Sequence, residues 1–209
     1  MDILRNFAVF EGLDGSGTST QMEMLKRRFE DGAALPPLYA TAEPTGGETG
    51  LLIRRALKGE PALLGETMAR LFAADRGEHL YGAGGIAERA RRGELVVCDR
   101  YVPSSLAYQG IECGEELPRA LNSPFPAPEL ILFFDLDPRA AGERIRGRKE
   151  REIYERADFQ LKVRDRYLGL LPFFRSQGSA VVRIDAALGR EEVAEQVWAA
   201  LRNMPIMGG

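Results

Sequence analysis

Histidine and tryptophan each occur once in this 209-residue sequence, and cysteine only twice. The lone His79 has no metal-ligand companions at a recognisable spacing, so no zinc centre is indicated and the residue is expected on the surface or in helix packing. Cys98 and Cys113 make no disulfide framework. Cys98 ends the apolar run Leu95-Val96-Val97-Cys98 and is expected to be a buried structural thiol. Lysine is scarce: Lys26, Lys58, Lys149 and Lys162 are four of 28 basic residues. Arginine supplies the rest, and its planar fork suits phosphate and carboxylate partners, although a genomic compositional bias would read the same way. No apolar run is long enough to span a membrane, and Met1 to Asn6 lacks the apolar core of a signal peptide. A cytoplasmic protein without a membrane partner is expected. The net charge of −3 gives no basic footprint for nucleic acid. Neither an internal repeat nor an interdomain linker is legible, so residues 1–209 are read as one domain.

The stretch that organises the chain runs from Phe7 to Gln21. Phe7-Ala8-Val9-Phe10 reads as a buried strand, Glu11 to Gly17 as a glycine-rich turn, and the residues after Gly17 as a helix start. Gly12, Gly15 and Gly17 let the backbone approach an anion and permit positive φ. The free N–H groups of the helix would point back at the turn. Gly12 to Ser19 fits the P-loop pattern G-x-x-x-x-G-K-[ST] except that Thr18 holds the lysine position. Thr18 offers a hydrogen bond without a charge, while Ser19 keeps the hydroxyl that a P-loop uses on Mg²⁺. Taken alone, the stretch could also be a glycine-rich turn with no ligand.

Apolar runs and helical periodicities then alternate along the chain. A helix is expected from Gly17 to about Asp31, a strand over Leu38–Ala42, and a loop at Glu43-Pro44-Thr45-Gly46-Gly47. A short helix follows over Gly50–Lys58, then a long one from Gly65 to Arg92 broken near Gly82–Gly85. Leu95–Cys98 is a third strand, ending in Asp99-Arg100-Tyr101. An acid at a strand end downstream of a P-loop suits a metal sphere or nucleophile positioning, and Arg100 suits a phosphate clamp; a solvated salt bridge is the plainer reading. Ser105 and Gln109 share a helix face four residues apart. Strands over Leu130–Phe134 and Ala180–Ile184 and helices over Pro138–Gly147, Asp158–Arg175 and Glu191–Arg202 complete the pattern, with Asn203–Gly209 expected to be loose. Arg144 to Glu152 is dense in charge and reads either as a solvated turn or as a mobile lid. Strands alternating with helices predict an α/β fold with a parallel, five-stranded sheet covered on both faces.

Several segments together carry a resemblance. They are Phe10-Glu11-Gly12-Leu13-Asp14-Gly15-Ser16-Gly17, Glu43-Pro44, Leu71 to Arg76, Cys98-Asp99-Arg100-Tyr101, Ser104 to Gly110, Phe133 to Pro138 and Tyr154 to Gln160. In this order and spacing the chain resembles the thymidylate kinases, P-loop nucleoside monophosphate kinases, over nearly its full length. The resemblance implies a three-layer P-loop NTPase fold with a short arginine-rich lid at about 144–156, and transfer of the γ-phosphoryl of ATP to dTMP, giving dTDP for dTTP synthesis, with Mg²⁺. It implies that Gly12, Asp14, Gly15, Ser16, Gly17, Thr18, Ser19, Thr20 and Arg144 hold the ATP phosphates, and that Ser19 and Asp99 hold the metal. Asp14, Glu43, Pro44, Phe72, Arg76, Arg100, Ser104, Ser105, Gln109 and Tyr154 would bind dTMP, with Phe72 stacked on thymine and Tyr154 near the sugar. Asp99, Arg100, Arg148 and Lys149 would serve the transfer itself. The P-loop carries no arginine while the lid has Arg144, Arg148 and Arg151, so the chain looks lid-dependent, with Arg148 or Lys149 replacing the missing charge. A homodimer packed through helices is also implied. Two other readings stay open: a weakly active or inactive nucleotide-binding homologue, and a kinase for a different nucleoside monophosphate.

Overall fold

The computed structural model describes residues 2–30, 35–146 and 157–208. β1 (Ile3–Gly12) is the central strand, and its second half is fully buried because Phe7-Ala8-Val9-Phe10 meets a neighbour on every side. β2 (Leu38–Ala42), β3 (Leu95–Asp99), β4 (Ala127–Asp135) and β5 (Ala180–Asp185) lie parallel to it in the order β2-β3-β1-β4-β5. Every residue of β4 is buried, as expected of an inner strand of a parallel sheet. The expected strand over Leu130–Phe134 was too short at its start. Ala127 and Pro128 also pair with Ile3 and Leu4, and the register then shifts before Ala8 meets Leu130.

Helices α1 (Thr18–Glu30), α2 (Glu48–Leu57), α3 (Gly65–Tyr81), α4 (Ile86–Arg91), α5 (Val102–Glu112), α6 (Glu116–Asn122), α7 (Pro138–Ile145), α8 (Ala157–Ser176) and α9 (Arg190–Arg202) accompany the sheet. The expected break separates α3 from α4: Gly82 to Gly85 turns the chain, with Gly84 at φ +69°. Val163, Tyr167, Leu170 and Leu171 of α8 are buried at helical spacing, and Pro172 sits inside the same helix. The C-terminal segment departs from the expected loose tail. Met204 is 3 % exposed in the core, and Ile206 and Met207 of a short 3-10 turn pack against it. Among the described residues, no helix is long and apolar enough to cross a membrane.

The topology also fixes where a ligand can sit. The chain fills one side of β1 with β3 and β2 and then crosses to β4 and β5. The crevice at the carboxyl ends of β1 and β3 is therefore a switch point, where open parallel sheets bind ligands.

Candidate active site

The turn after β1 is built around three glycines with different reasons to be glycine. A Cβ on Gly12 would lie 2.6 Å from Ser16 Oγ and 2.9 Å from the Phe134 carbonyl oxygen. One on Gly15, at φ +87°, would lie 2.5 Å from the Ala141 carbonyl oxygen of α7. Gly17 sits at φ +97° with open space where its Cβ would be. The backbone there is bare to the crevice, and α1 begins at the next residue. Ser16 N–H donates to the Leu13 carbonyl at 3.0 Å, closing the turn. Thr18, at the lysine position, is buried.

Ser19 Oγ donates to Asp99 Oδ2 at 2.9 Å, which ties the start of α1 to the end of β3. The other oxygen, Asp99 Oδ1, is buried and has no hydrogen-bond partner among the described residues. A hydroxyl beside an unengaged carboxylate oxygen is the hard-oxygen donor set that Mg²⁺ takes alongside nucleotide phosphates. These residues fit the ion.

Arg100 follows at φ 73°, a left-handed conformation that costs a non-glycine residue about 1–2 kcal/mol. Neighbours fix it on three sides. Its N–H donates to the Phe10 carbonyl at 2.9 Å, its carbonyl accepts from Cys98 Sγ at 3.0 Å, and the next N–H, of Tyr101, donates to Glu11 Oε1 at 2.8 Å. The guanidinium is thereby aimed across the crevice, where Nη2 donates to Asp14 Oδ1 at 2.6 Å. Gln160 Nε2 donates to the second Asp14 oxygen at 3.2 Å. Beneath them Glu11 is completely buried and accepts from Tyr101 N, from Ser104 Oγ at 2.6 Å and from Tyr167 OH at 3.0 Å. Burial pushes its carboxyl up to about 7; the Ser104 hydrogen bond, the Arg100 charge and the bonds from Tyr167 and Tyr101 only partly offset that.

The far end of the crevice is buried and polar at once. Arg76, 1 % exposed, donates from Nε and Nη2 to Glu43 Oε2 at 2.9 and 2.7 Å. Its Nη1 donates to Ser105 Oγ at 3.1 Å and to Asn122 Oδ1. Phe72 and Pro44 face the same space, and Gln109 Oε1 is buried there without a partner among the described residues. His79 is packed against another element, and its side chain is nearly fully buried rather than on the surface: Nδ1 lies 3.1 Å from Glu43 Oε1 and Nε2 lies 2.8 Å from Thr41 Oγ1. Glu43, His79 and Cys98 present ligating atoms within 4.8 Å of one another. All three are already engaged, with Arg76, Thr41 and the Arg100 carbonyl, and form a hydrogen-bonded core.

These pieces enclose one cleft of about 710 Å³. Asp14, Gly15, Ser16, Gly17, Thr18, Ser19 and Thr20 line it on the P-loop side, with Asp99, Arg100 and Ser104 between. Glu43, Pro44, Phe72, Arg76, Ser105 and Gln109 form the other end. Gly12 stands behind the turn rather than on the cleft wall. Arg144 on α7 also lines the cleft, and its Nη2 donates to the Ala186 carbonyl at 3.0 Å. Arg148, Lys149 and Tyr154, with most of the expected lid, lie outside the described residues. Sequence reasoning missed four participants. Arg54 donates to the Pro44 and Thr45 carbonyls and lines the cleft, as does Arg190 at the start of α9. Gln160 holds Asp14, and Glu11 was seen only as a letter of the motif. A carboxylate directly after the apolar run Phe7–Phe10 was the available signal for Glu11.

Comparison with known proteins agrees with this geometry. The family profile described as thymidylate kinase matches residues 10–197. The chain belongs to the thymidylate kinase family. A protein of Treponema pallidum that carries a provisional thymidylate kinase name is 44 % identical over 206 residues, spanning 97 % of this chain and 98 % of that protein. A similarly named protein of Pyrobaculum aerophilum is 41 % identical over 193 residues, 91 % of this chain and 93 % of its own. One of Methanocaldococcus jannaschii is 34 % identical over 200 residues, 95 % and 97 %. Thymidylate kinases are phosphotransferases.

Proposed function

We propose that this cleft transfers the γ-phosphoryl group of ATP to dTMP, giving dTDP and ADP, in dTTP synthesis. The observation that carries the reading is the glycine cradle at the start of α1 and the Arg100 clamp facing one cleft whose other end is a buried, polar base pocket. The Gly15–Ser19 backbone and the N-terminus of α1 hold the ATP phosphates. Ser19 and Asp99 hold Mg²⁺, which when bound neutralises charge on the phosphate oxygens. Arg100 grips the dTMP phosphate and brings one of its oxygens in line with the γ-phosphorus. The new P–O bond forms as the bond from the γ-phosphorus to the β–γ bridging oxygen breaks, and ADP leaves with that electron pair. Asp14 takes the sugar hydroxyl, Phe72 stacks on the base, and Arg76, Ser105 and Gln109 read its polar edge.

The missing lysine is answered by arginine. Arg144 and Arg190 already line the cleft, and Arg148 and Lys149 are close in sequence to Arg144. A coupled ADP-release assay with ATP, Mg²⁺ and dTMP tests the reading, run beside dUMP and other monophosphates. dTMP-dependent turnover supports it; faster turnover with another monophosphate reassigns the acceptor. Unchanged rates in both Arg148→Ala and Lys149→Ala would remove the lid from the account. Thr18 itself favours a second reading, a nucleotide-binding homologue with a crippled transfer step. That reading predicts negligible turnover, intact dTMP binding, and a rate restored by Thr18→Lys. Exposed Leu51 on α2 and Tyr81 at the end of α3 support pairing of two chains through helices, which light scattering would test.

A further inference from the structure

Glu11 has no role in the account so far, yet it is the most deeply buried acid next to the reacting groups. It stands on β1, and its carboxylate makes two separate connections to Arg100. Through Oε1 it accepts the Tyr101 N–H, the residue immediately after the left-handed Arg100. Through Oε2 it accepts Ser104 Oγ, and Ser104 Oγ in turn lies 3.5 Å from Arg100 Nη1. Tyr167 OH from α8 completes the set, 3.0 Å from Oε2 and 2.7 Å from Ser104 Oγ.

We infer that Glu11 is a positioning residue for the phosphate clamp: it fixes the left-handed Arg100 backbone through Tyr101 N–H and aims the Arg100 side chain through Ser104. The inference rests on the proposed reading that Arg100 grips the phosphate of dTMP. A buried carboxylate that met only structural donors would have no reason to converge on both the main chain and the side chain of one half-buried arginine. The groups around it argue the same way. Its hydrogen-bond donors come from β3's turn, α5 and α8, so the three elements that frame the phosphate end of the cleft are keyed to one side chain. A glutamine can match one carboxylate oxygen but sets an NH₂ group against the donors at the other. An unmatched donor is then left buried, or the Arg100 turn shifts to relieve it.

The test compares two ligands that differ only by the phosphate. Binding of dTMP and of thymidine to the full chain is measured by calorimetry for the wild type, Glu11→Gln and Ser104→Ala, with circular dichroism and thermal melts to establish folding. Wild type is expected to bind dTMP more tightly than thymidine. In Glu11→Gln the dissociation constant for dTMP should rise about tenfold or more, while that for thymidine should move by less than about twofold. Ser104→Ala breaks only the side-chain connection and should give a smaller loss in the same direction. Should Glu11→Gln fail to fold, the dTMP-selective loss in Ser104→Ala decides the matter. Equal losses for both ligands, or no loss for either, would overturn the inference and leave Glu11 a structural group. Wild type binding both ligands equally would instead overturn the phosphate role of Arg100, and binding neither would overturn dTMP as the acceptor.

Discussion

Arg100 and Asp14 face each other across the cleft, with Nη2 donating to Oδ1 at 2.6 Å. The pair joins the P-loop to the end of β3. In the proposed reaction an entering phosphate would compete with Asp14 for the guanidinium and free the carboxylate to accept a sugar hydroxyl. Arg100→Lys keeps the charge but loses the fork. It should lower kcat/KM for dTMP by about a hundredfold or more while leaving the KM for ATP nearly unchanged. A lysine variant with wild-type kcat/KM would remove Arg100 from the transfer.

Glu11 makes the stability depend on pH in an unusual direction. Its folded pKa, about 7, lies above the ordinary value of 4.5. The fold therefore holds the proton more tightly than the unfolded chain does. Its contribution is fully present below pH 4.5, declines as pH rises, and is gone above about 7. Arg100, Tyr101, Ser104 and Tyr167 are the groups that face it, and the buried Cys98 thiol also feels its charge. The stability difference between wild type and Glu11→Gln, from urea melts, should fall by about 3 kcal/mol between pH 4.5 and pH 8, one pKa unit being worth about 1.4 kcal/mol. A difference that is flat with pH would refute this.

Arg76 and Glu43 form an ion pair with side chains 1 % and 2 % exposed. Removing either partner strands the other charge in the core. Arg76→Met should destabilise by about 3–5 kcal/mol in urea denaturation. Adding Glu43→Gln should recover part of that loss, although His79 also relies on Glu43. Strict additivity of the two changes would show that the pair does not act as a unit.

Met204 tests the docking of the C-terminal segment. Met204→Ala should cost about 2–5 kcal/mol, since its side chain is buried in the core. A change under half a kilocalorie would mean that the segment is only loosely held.

What was legible in the sequence was whatever local pattern controls. The five strands announced themselves as apolar runs, the α3–α4 break as a cluster of glycines, and the P-loop as a spacing. Ser105 and Gln109 could be placed on one face by helical geometry alone, and both line the cleft. What stayed hidden depends on distant partners. Met204 looked like part of a loose tail because nothing local shows that it packs onto the core. For His79 the sequence left surface and helix packing both open, because its partners, Thr41 and Glu43, lie more than thirty residues away. The partners of Glu11 stayed hidden for the same reason: Ser104 and Tyr167 approach it only after α5 and α8 have docked. Arg148, Lys149 and Tyr154 lie outside the described residues.

The thiol of Cys98 gives the protein an internal gauge. Its hydrogen bond to the Arg100 carbonyl makes it part of the turn, and full burial raises its pKa well above that of a free thiol. A reagent can reach it only when the packing that holds the end of β3 against Glu43 and His79 opens. The rate at which Cys98 is alkylated under native conditions therefore counts how often the clamp lets go, and Cys113, which is only partly buried, supplies the comparison within the same chain. A nucleotide that stitches β3 to the P-loop should slow the first thiol and leave the second alone.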